Sequence, residues 1–137
     1  MGFEKFGRRS FTSATKTAKF VDFLAEGKIE GTFCKDCGAK YFPPRADCAK
    51  CFSKNMDWFE MPKKGKLETF TTAYYAPFGF ENDPPYSMGV VDFGQGLKLF
   101  ARISKEINPE ELKVGMDVKI KPIKYEDGQI SFEITKG

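Results

Sequence analysis

Four cysteines carry the clearest chemical signal in this chain, because they form two Cys-x-x-Cys pairs. The first pair is Cys34 and Cys37, and the second pair, after ten intervening residues, is Cys48 and Cys51. Each such turn directs two sulfurs inward, and two turns close a tetrahedron of thiolates around a metal ion. All four coordination positions are then filled by protein, so the spacing predicts a structural ion and no open position for water or substrate.

The metal predicted for this site is one structural Zn²⁺ ion. Iron in the same thiolate cage is the open alternative, since rubredoxin-type sites use similar pairs of cysteines. A thioredoxin-like redox site is disfavoured, because it needs a single Cys-x-x-Cys pair at the start of a helix in an α/β setting. Two disulfides are disfavoured because they require an oxidising compartment.

A cytoplasmic location is expected from the composition of the chain. The segment Met1–Lys19 is polar and basic, without the apolar centre of a secretory signal. No apolar run approaches the roughly 20 residues that a transmembrane helix needs, so no membrane association is expected.

The composition argues against an independent catalyst. The 137 residues include no histidine, which excludes the Ser-His and Cys-His nucleophilic systems and proton transfer by imidazole. Carboxylates such as Asp92 or Glu133 have no accompanying nucleophile pattern. We therefore expect no catalytic residues in this chain.

The elements around the cysteines are predicted to be two short strands and a preceding helix. Aromatic and β-branched residues in Ile29–Phe33 and Trp58–Met61 favour strands that frame the cysteine unit. Helical spacing of apolar residues predicts a helix over Thr15–Glu26, which includes Phe20 and Phe23. Two interpretations of this helix are open: packing against its own domain, or docking on another subunit.

The rest of the chain is predicted to form a small β-barrel. A helical turn is expected at Asn108, where a capping Asn is followed by Pro and two acids. Hairpins are indicated at Gly94–Gly96 and at Asp127–Gly128. Five strands with one helical turn between the third and the fourth fit a closed OB-type barrel better than a sandwich. The predicted strands are Leu67–Tyr75, Met88–Phe93, Leu97–Ile103, Asp117–Tyr125 and Gln129–Thr135.

The predicted fold class is mainly β: an N-terminal helix, a rubredoxin-like zinc ribbon, and a five-stranded OB-fold barrel. The predicted divisions are an arm and docking helix over residues 1–28, the zinc ribbon over residues 29–62, and the OB-fold domain over residues 63–137.

Two stretches of sequence resemble a known family. The first is Cys34–Cys51, with the distinctive Phe-Pro-Pro-Arg at residues 42–45, and the second is Pro84–Ile103, followed by Lys113–Val118. Together they resemble the zinc-ribbon plus OB-fold proteins that accompany thiolases and related acyl-CoA condensing enzymes, long classed as a domain of unknown function. The resemblance covers residues 20–135.

This resemblance implies an accessory subunit without catalysis of its own, in a hetero-oligomer with a thiolase-like or acyl-CoA condensing enzyme. CoA or acyl-CoA is a candidate ligand at the interface of such a complex. Arg45 is a candidate for contact with a CoA phosphate or an acidic partner surface, with pinning of the ribbon loop as the alternative. Phe78 and Phe80, in the long loop after the first barrel strand, are candidate partner anchors, with folding back to close the end of the barrel as the alternative. Phe20 and Phe23 are further candidate anchors.

A nucleic-acid-binding module is the alternative function. Zinc ribbons and OB barrels both bind nucleic acids, and Phe70, Tyr74 and Tyr75 offer stacking surfaces. The formal charge of only +3, from 22 basic and 19 acidic residues scattered along the chain, makes a nucleic-acid partner the weaker interpretation.

Overall fold

The computed structural model describes residues 5–8 and 15–137. Most of the predicted N-terminal arm, residues 1–4 and 9–14, lies outside the described residues. The chain divides into two compact units: unit 1 comprises Met1–Met61 with Pro122–Phe132, and unit 2 comprises Pro62–Lys121 with Glu133–Gly137.

The described part of the chain contains one α-helix, eight strands and a 3₁₀ turn. In chain order these elements are α1 (Lys19–Ala25), β1 (Glu30–Cys34), β2 (Lys40–Tyr41), β3 (Met56–Glu60), β4 (Lys64–Ala73), β5 (Tyr86–Asp92), β6 (Lys98–Ile103), the 3₁₀ turn (Pro109–Glu111), β7 (Asp117–Lys124) and β8 (Ile130–Lys136). Over residues 5–8 and 15–137, no helix is long and apolar enough to cross a membrane.

Helix α1 is shorter than the predicted Thr15–Glu26. The backbone before it is held by tight turns, in which Ala18 N–H donates to Thr15 O at 3.1 Å and Phe20 N–H donates to Thr17 O at 3.0 Å. Threonine is disfavoured inside a helix because it is β-branched and its hydroxyl competes for backbone groups, and here Thr15 Oγ1 accepts from Thr17 N–H at 3.5 Å. The buried face of α1 consists of Phe20, Val21 and Leu24.

The ribbon of unit 1 is a three-stranded antiparallel sheet in the order β2-β1-β3. Strand β1 pairs with β3 from Glu30↔Glu60 to Cys34↔Met56, so the ladder runs to the first cysteine. Gly31 is required in β1, because a Cβ there would lie 2.5 Å from Tyr41 O. Strand β2 was absent from the predicted elements, since two residues carry no detectable alternation.

Strands β4 to β8 form the predicted closed barrel, and their order in it is β4-β5-β6-β8-β7. The β4–β5 register shifts between Leu67 and Thr69, a bulge that bends the strand. Strands β6 and β8 pair in parallel at Ile103↔Ile134. The largest fully buried residues of unit 2 are apolar side chains from these strands: Leu67, Val91, Leu99, Ile103, Val118 and Ile134.

The turns follow the chemistry that their sequences predicted. In the first hairpin, Phe93 N–H donates to Leu97 O at 2.9 Å, and Gly94 and Gly96 have φ of +83° and +77°. In the second, Tyr125 N–H donates to Gln129 O at 2.7 Å. The side chain of Asn108 caps the 3₁₀ turn, as expected from the order Asn-Pro-Glu-Glu.

Candidate metal centre

The four cysteines lie on two turns with the same backbone hydrogen bonds. In the first turn, Cys34 N–H donates to Ala39 O at 2.8 Å and Gly38 N–H donates to Cys34 O at 2.8 Å. In the second turn, Cys48 N–H donates to Ser53 O at 2.8 Å and Phe52 N–H donates to Cys48 O at 3.0 Å. The sequence therefore folds two equivalent knuckles, one at the end of β1 and one in the loop before β3.

Both knuckles need a left-handed backbone at the residue after the second cysteine. Gly38 occupies this position in the first knuckle with φ of +78°, and Phe52 occupies it in the second with φ of +62°. A side chain in this region costs about 1–2 kcal/mol relative to the right-handed conformation. The Phe52 side chain is also 82% exposed, so packing does not offset that cost.

The sulfur positions fit a tetrahedral thiolate site. The Sγ atoms of Cys34 and Cys51 are 3.6 Å apart, those of Cys37 and Cys48 are 3.5 Å apart, and all four lie within 4.8 Å of one another. A zinc ion with bonds of about 2.3 Å to four sulfurs gives tetrahedron edges of about 3.8 Å. All four cysteines are free, and these separations are well above a disulfide bond of about 2.05 Å.

The two first cysteines of the knuckles are buried and the two second ones are exposed. Cys34 and Cys48 are 0% and 1% exposed, whereas Cys37 and Cys51 are exposed to solvent. The buried sulfurs have no access to water, so their charge depends on hydrogen bonds from the protein.

Cys48 accepts hydrogen bonds from one side chain and two backbone groups. The Tyr41 hydroxyl lies 3.3 Å from Cys48 Sγ, and the N–H groups of Lys50 and Cys51 donate to the same sulfur at 3.4 and 3.5 Å. The Tyr41 hydroxyl and the Cys51 N–H stabilise the thiolate and lower the pKa of Cys48 to about 6. The bond to Cys48 also raises the pKa of the Tyr41 hydroxyl.

Tyr41 was not among the predicted site residues. Its position depends on the pairing Thr32↔Tyr41 between β1 and β2, and β2 is too short to be predicted from sequence. The available signal was its place in the inter-knuckle loop, directly before the Phe-Pro-Pro-Arg motif.

A carboxylate joins the first knuckle to the chain that follows the second. Asp36 accepts hydrogen bonds from the Ser53 hydroxyl and from Asn55 Nδ2, the latter at 3.4 Å. The Ser53 hydroxyl and then the Asn55 amide hold the pKa of Asp36 below its usual range. These bonds link the two knuckles through a contact that does not involve the sulfurs.

Arg45 is held through its backbone, with its side chain exposed. Its N–H donates to Thr32 Oγ1 at 2.8 Å, and Thr32 Oγ1 donates to Arg45 O at 3.0 Å. The guanidinium lies over the Tyr41 ring, 5.5 Å from its centroid. The loop pinning considered as an alternative for Arg45 therefore comes from backbone atoms, which leaves the guanidinium accessible.

The four phenylalanines named as candidate anchors differ in exposure. Phe20 is 2% exposed, and its ring centroid lies 5.9 Å from that of Phe42 and 6.1 Å from that of Phe132. Phe20 thus packs in the core of unit 1, and docking of the helix on another subunit stays a prediction. The half-buried Phe23 packs edge-on against Trp58 at 5.3 Å. In unit 2, Phe78 is 89% exposed and Phe80 is half-buried.

The ribbon and the barrel each match a known domain family, and each family is described by its domain fold. Residues 21–57 match "ChsH2, rubredoxin-like zinc ribbon domain", and residues 58–121 match "ChsH2, C-terminal OB-fold domain". The fold and the cysteine cluster thus define a zinc-ribbon plus OB-fold protein. A DUF35 domain-containing scaffold protein of Pyrococcus furiosus is 33% identical over 114 residues, which is 80% of this chain and 82% of the relative. The chain belongs to the DUF35 family.

Two further relatives match over shorter regions. A DUF35 domain-containing scaffold protein of Methanocaldococcus jannaschii is 35% identical over 90 residues, 65% of this chain and 63% of the relative, so the match spans less than two thirds of that protein. The benzoylsuccinyl-CoA thiolase subunit BbsA of Thauera aromatica is 29% identical over 75 residues, 55% of this chain and 51% of the relative.

Solved structures support the fold. The structure described as "Ltp2-ChsH2(DUF35) aldolase" has a TM-score of 0.77 at 18% identity and covers 92% of this chain and 98% of its own. A DUF35-family protein of unknown function from Sulfolobus solfataricus has a TM-score of 0.63 at 21% identity, covering 93% and 90%. At these identities the likeness shows the fold alone.

Replacement of Cys37 by Ser is expected to abolish stoichiometric metal binding, because a structural site that loses one thiolate loses both charge and closure. Metal content per chain, measured by elemental analysis after dialysis against a chelator, should fall to near zero and identify zinc or iron in the parent. Ser53→Ala is the control, since it removes a bond to Asp36 and retains all four sulfurs. Full metal retention in Cys37→Ser would contradict the four-thiolate site.

Replacement of Phe52 by Gly is expected to stabilise the protein, because glycine adopts the left-handed backbone without the steric cost. The free energy of unfolding should rise by roughly 0.5–1 kcal/mol in urea titrations at fixed free metal concentration. Phe52→Ala removes the exposed ring but keeps Cβ, and it should leave stability nearly unchanged. If Ala stabilises as much as Gly, the backbone explanation is wrong.

Proposed function

We propose that this chain is a non-catalytic accessory subunit of a thiolase-type acyl-CoA enzyme complex, in which it scaffolds the partner enzyme. The similarity to relatives named as scaffold proteins and as a thiolase subunit carries this proposal. The lack of histidine in the 137 residues agrees with it, because the chain then relies on a partner for acid–base and nucleophilic chemistry.

The zinc ribbon has a structural role in this proposal. Cys34, Cys37, Cys48 and Cys51 bind one Zn²⁺, which supplies folding free energy to a segment too small to bury a sufficient core. The four free cysteines support a reducing, cytoplasmic location, since a thiolate site requires reduced sulfur. We retain the division into residues 1–28, 29–62 and 63–137 as arm and helix, ribbon and OB-fold domain.

The loop after β4 is the proposed partner surface. It presents three aromatic side chains to solvent: Tyr74, Tyr75 and Phe78 are 70%, 89% and 89% exposed. We name these three residues the aromatic loop. Exposed aromatic side chains of this kind form the energetic centres of protein interfaces, because they bury a large area at small cost in side-chain entropy.

This loop is anchored rather than loose. Two successive turns close it, with Phe80 N–H donating to Pro77 O and Asp83 N–H donating to Phe80 O, both at 3.0 Å. The buried Asp83 lies 3.4 Å from a guanidinium nitrogen of Arg102. An interface element held in one conformation pays less ordering entropy when it binds, which supports a docking role for the aromatic loop.

CoA or acyl-CoA is proposed as a ligand at the interface with the partner enzyme. Arg45 is the residue of the ribbon that we propose for a CoA phosphate. Two observations support this role: Arg45 is exposed, and Thr32 fixes the backbone that carries it. A charge held in place recognises phosphate better than one on a mobile loop.

The subunit proposal is tested by affinity purification of the tagged full chain from its native cell extract, with mass spectrometry and a thiolysis assay on the eluate. A thiolase-type enzyme is expected in stoichiometric amount. Phe78→Ser together with Tyr75→Ser should reduce its recovery at least about tenfold, the effect of losing two interface aromatics. Val114→Ser is the control, because Val114 is also 70% exposed but lies outside the aromatic loop.

Recovery of the chain alone would overturn the subunit proposal. Recovery with nucleic acid that salt removes would favour the nucleic-acid alternative, because phosphate contacts weaken steeply with salt. Equal recovery with the aromatic-loop variant and the Val114 control would remove the loop from the interface and leave the subunit proposal standing.

The CoA proposal predicts weaker CoA binding when the Arg45 charge is removed. In the purified complex, Arg45→Gln should raise the Kd for CoA about tenfold, the effect of one charge-assisted hydrogen bond. Lys54→Gln, at another exposed cation of the ribbon, should leave the Kd unchanged. Isothermal titration calorimetry measures both, and an equal Kd in the parent and Arg45→Gln would remove Arg45 from the CoA site.

A further inference from the structure

The two knuckles differ in one side-chain hydrogen bond, although their backbones are alike. In the first knuckle, backbone N–H groups of Cys37 and Asp36 donate to the Cys34 sulfur. In the second, the N–H groups of Lys50 and Cys51 donate to Cys48 Sγ at 3.4 and 3.5 Å, and the Tyr41 hydroxyl adds a third contact at 3.3 Å.

The direction of the Tyr41 hydrogen bond follows from its other partner. Ala49 N–H donates to the Tyr41 oxygen at 3.1 Å, which uses that oxygen as an acceptor. The hydroxyl proton then remains available for the sulfur, and a thiolate accepts hydrogen bonds without donating any. Tyr41 is therefore the donor to Cys48 when the sulfur is ionised for metal binding.

We propose that Tyr41 is an outer-shell positioning residue of the metal site, which donates a hydrogen bond to the metal-bound thiolate of Cys48, and that Arg45 strengthens this donor through the Tyr41 ring. Four thiolates around a divalent ion leave an excess of two negative charges. Water reaches the exposed Cys37 and Cys51, but Cys48 is 1% exposed and depends on protein donors. Outer-shell donors of this kind hold ligands in place and slow metal loss.

Thr32 links both residues to the site. Thr32 is 3% exposed, and it is paired with Tyr41 in the register of strands β1 and β2. Its hydroxyl bonds both the N–H and the carbonyl of Arg45, which places the guanidinium 5.5 Å from the Tyr41 ring centroid. A cation over the ring face draws electron density from the ring and makes the phenol a stronger hydrogen-bond donor.

Tyr41→Phe tests the proposal on the full chain as purified, because it retains the ring and its packing and removes only the hydroxyl. The rate of metal release to a chromogenic chelator is expected to rise about tenfold. In the cobalt-substituted protein, the sulfur-to-cobalt charge-transfer band should move to longer wavelength, because a thiolate without this bond holds its electrons less tightly. Tyr86→Phe is the control, since it removes a hydroxyl from a tyrosine of β5, outside the ribbon, whose ring also lies under an arginine, with Arg102 Cζ 5.0 Å from its centroid.

Arg45 provides the second arm of the test. Arg45→Gln should accelerate metal release in the same direction but less, and it should add nothing in the Tyr41→Phe background, because its effect passes through the hydroxyl. If Arg45→Gln and Tyr41→Phe change the rate of metal release additively, Arg45 does not act through the Tyr41 hydroxyl and its proposed role is wrong. An unchanged release rate and charge-transfer band in Tyr41→Phe would overturn the role of Tyr41.

A fluorinated tyrosine at position 41 separates hydrogen bonding from folding. It preserves the hydroxyl and the ring, and it is a stronger donor than tyrosine. Slower metal release than in the parent is expected, opposite in sign to Tyr41→Phe. Faster or equal release would contradict the proposal even where Tyr41→Phe fails to fold.

Discussion

The ribbon depends on the convergence of four cysteine sulfurs to within 4.8 Å of one another. A segment of this length cannot bury enough apolar surface to offset its conformational entropy, so the thiolate site has to supply much of the difference. Other features of the ribbon serve this closure. Strand β1 ends at Cys34, Gly31 permits the close approach of Tyr41, and Asp36 joins the two knuckles through Ser53 and Asn55.

The two knuckles show how one backbone geometry is reached with different sequences. Gly38 satisfies the left-handed position without cost, whereas Phe52 satisfies it with strain. The second knuckle has the additional contact from Tyr41 to a buried sulfur. The second knuckle thus combines backbone strain at Phe52 with a side-chain hydrogen bond to Cys48. The tetrahedral geometry of the metal site fixes the relative positions of the four sulfurs. The residues around each knuckle reach this geometry in different ways.

Much of this architecture was predictable because it rests on local signals. The cysteine spacing, the alternation in the barrel strands, and the cap at Asn108 are each readable over a few residues. The start of α1 was placed too early, since apolar spacing does not show the competition from threonine hydroxyls. The role of Tyr41 was not predictable, because it depends on the register of a two-residue strand. The burial of Phe20 depends on rings distant in sequence, Phe42 and Phe132.

The distribution of chemistry over the chain favours function through binding. Its most reactive side chains, the cysteines, face one another in a closed cluster, and a saturated thiolate site offers no position to a substrate. The large exposed side chains of unit 2 include three aromatics on an anchored loop, where they contribute nothing to a core. Exposed aromatic side chains lower the solubility of a protein. A binding partner that covers these three side chains is therefore the best explanation for their position on the surface. The OB fold does not by itself specify which molecule provides the covering surface. The thiolase-type enzyme proposed above as the partner would provide such a surface.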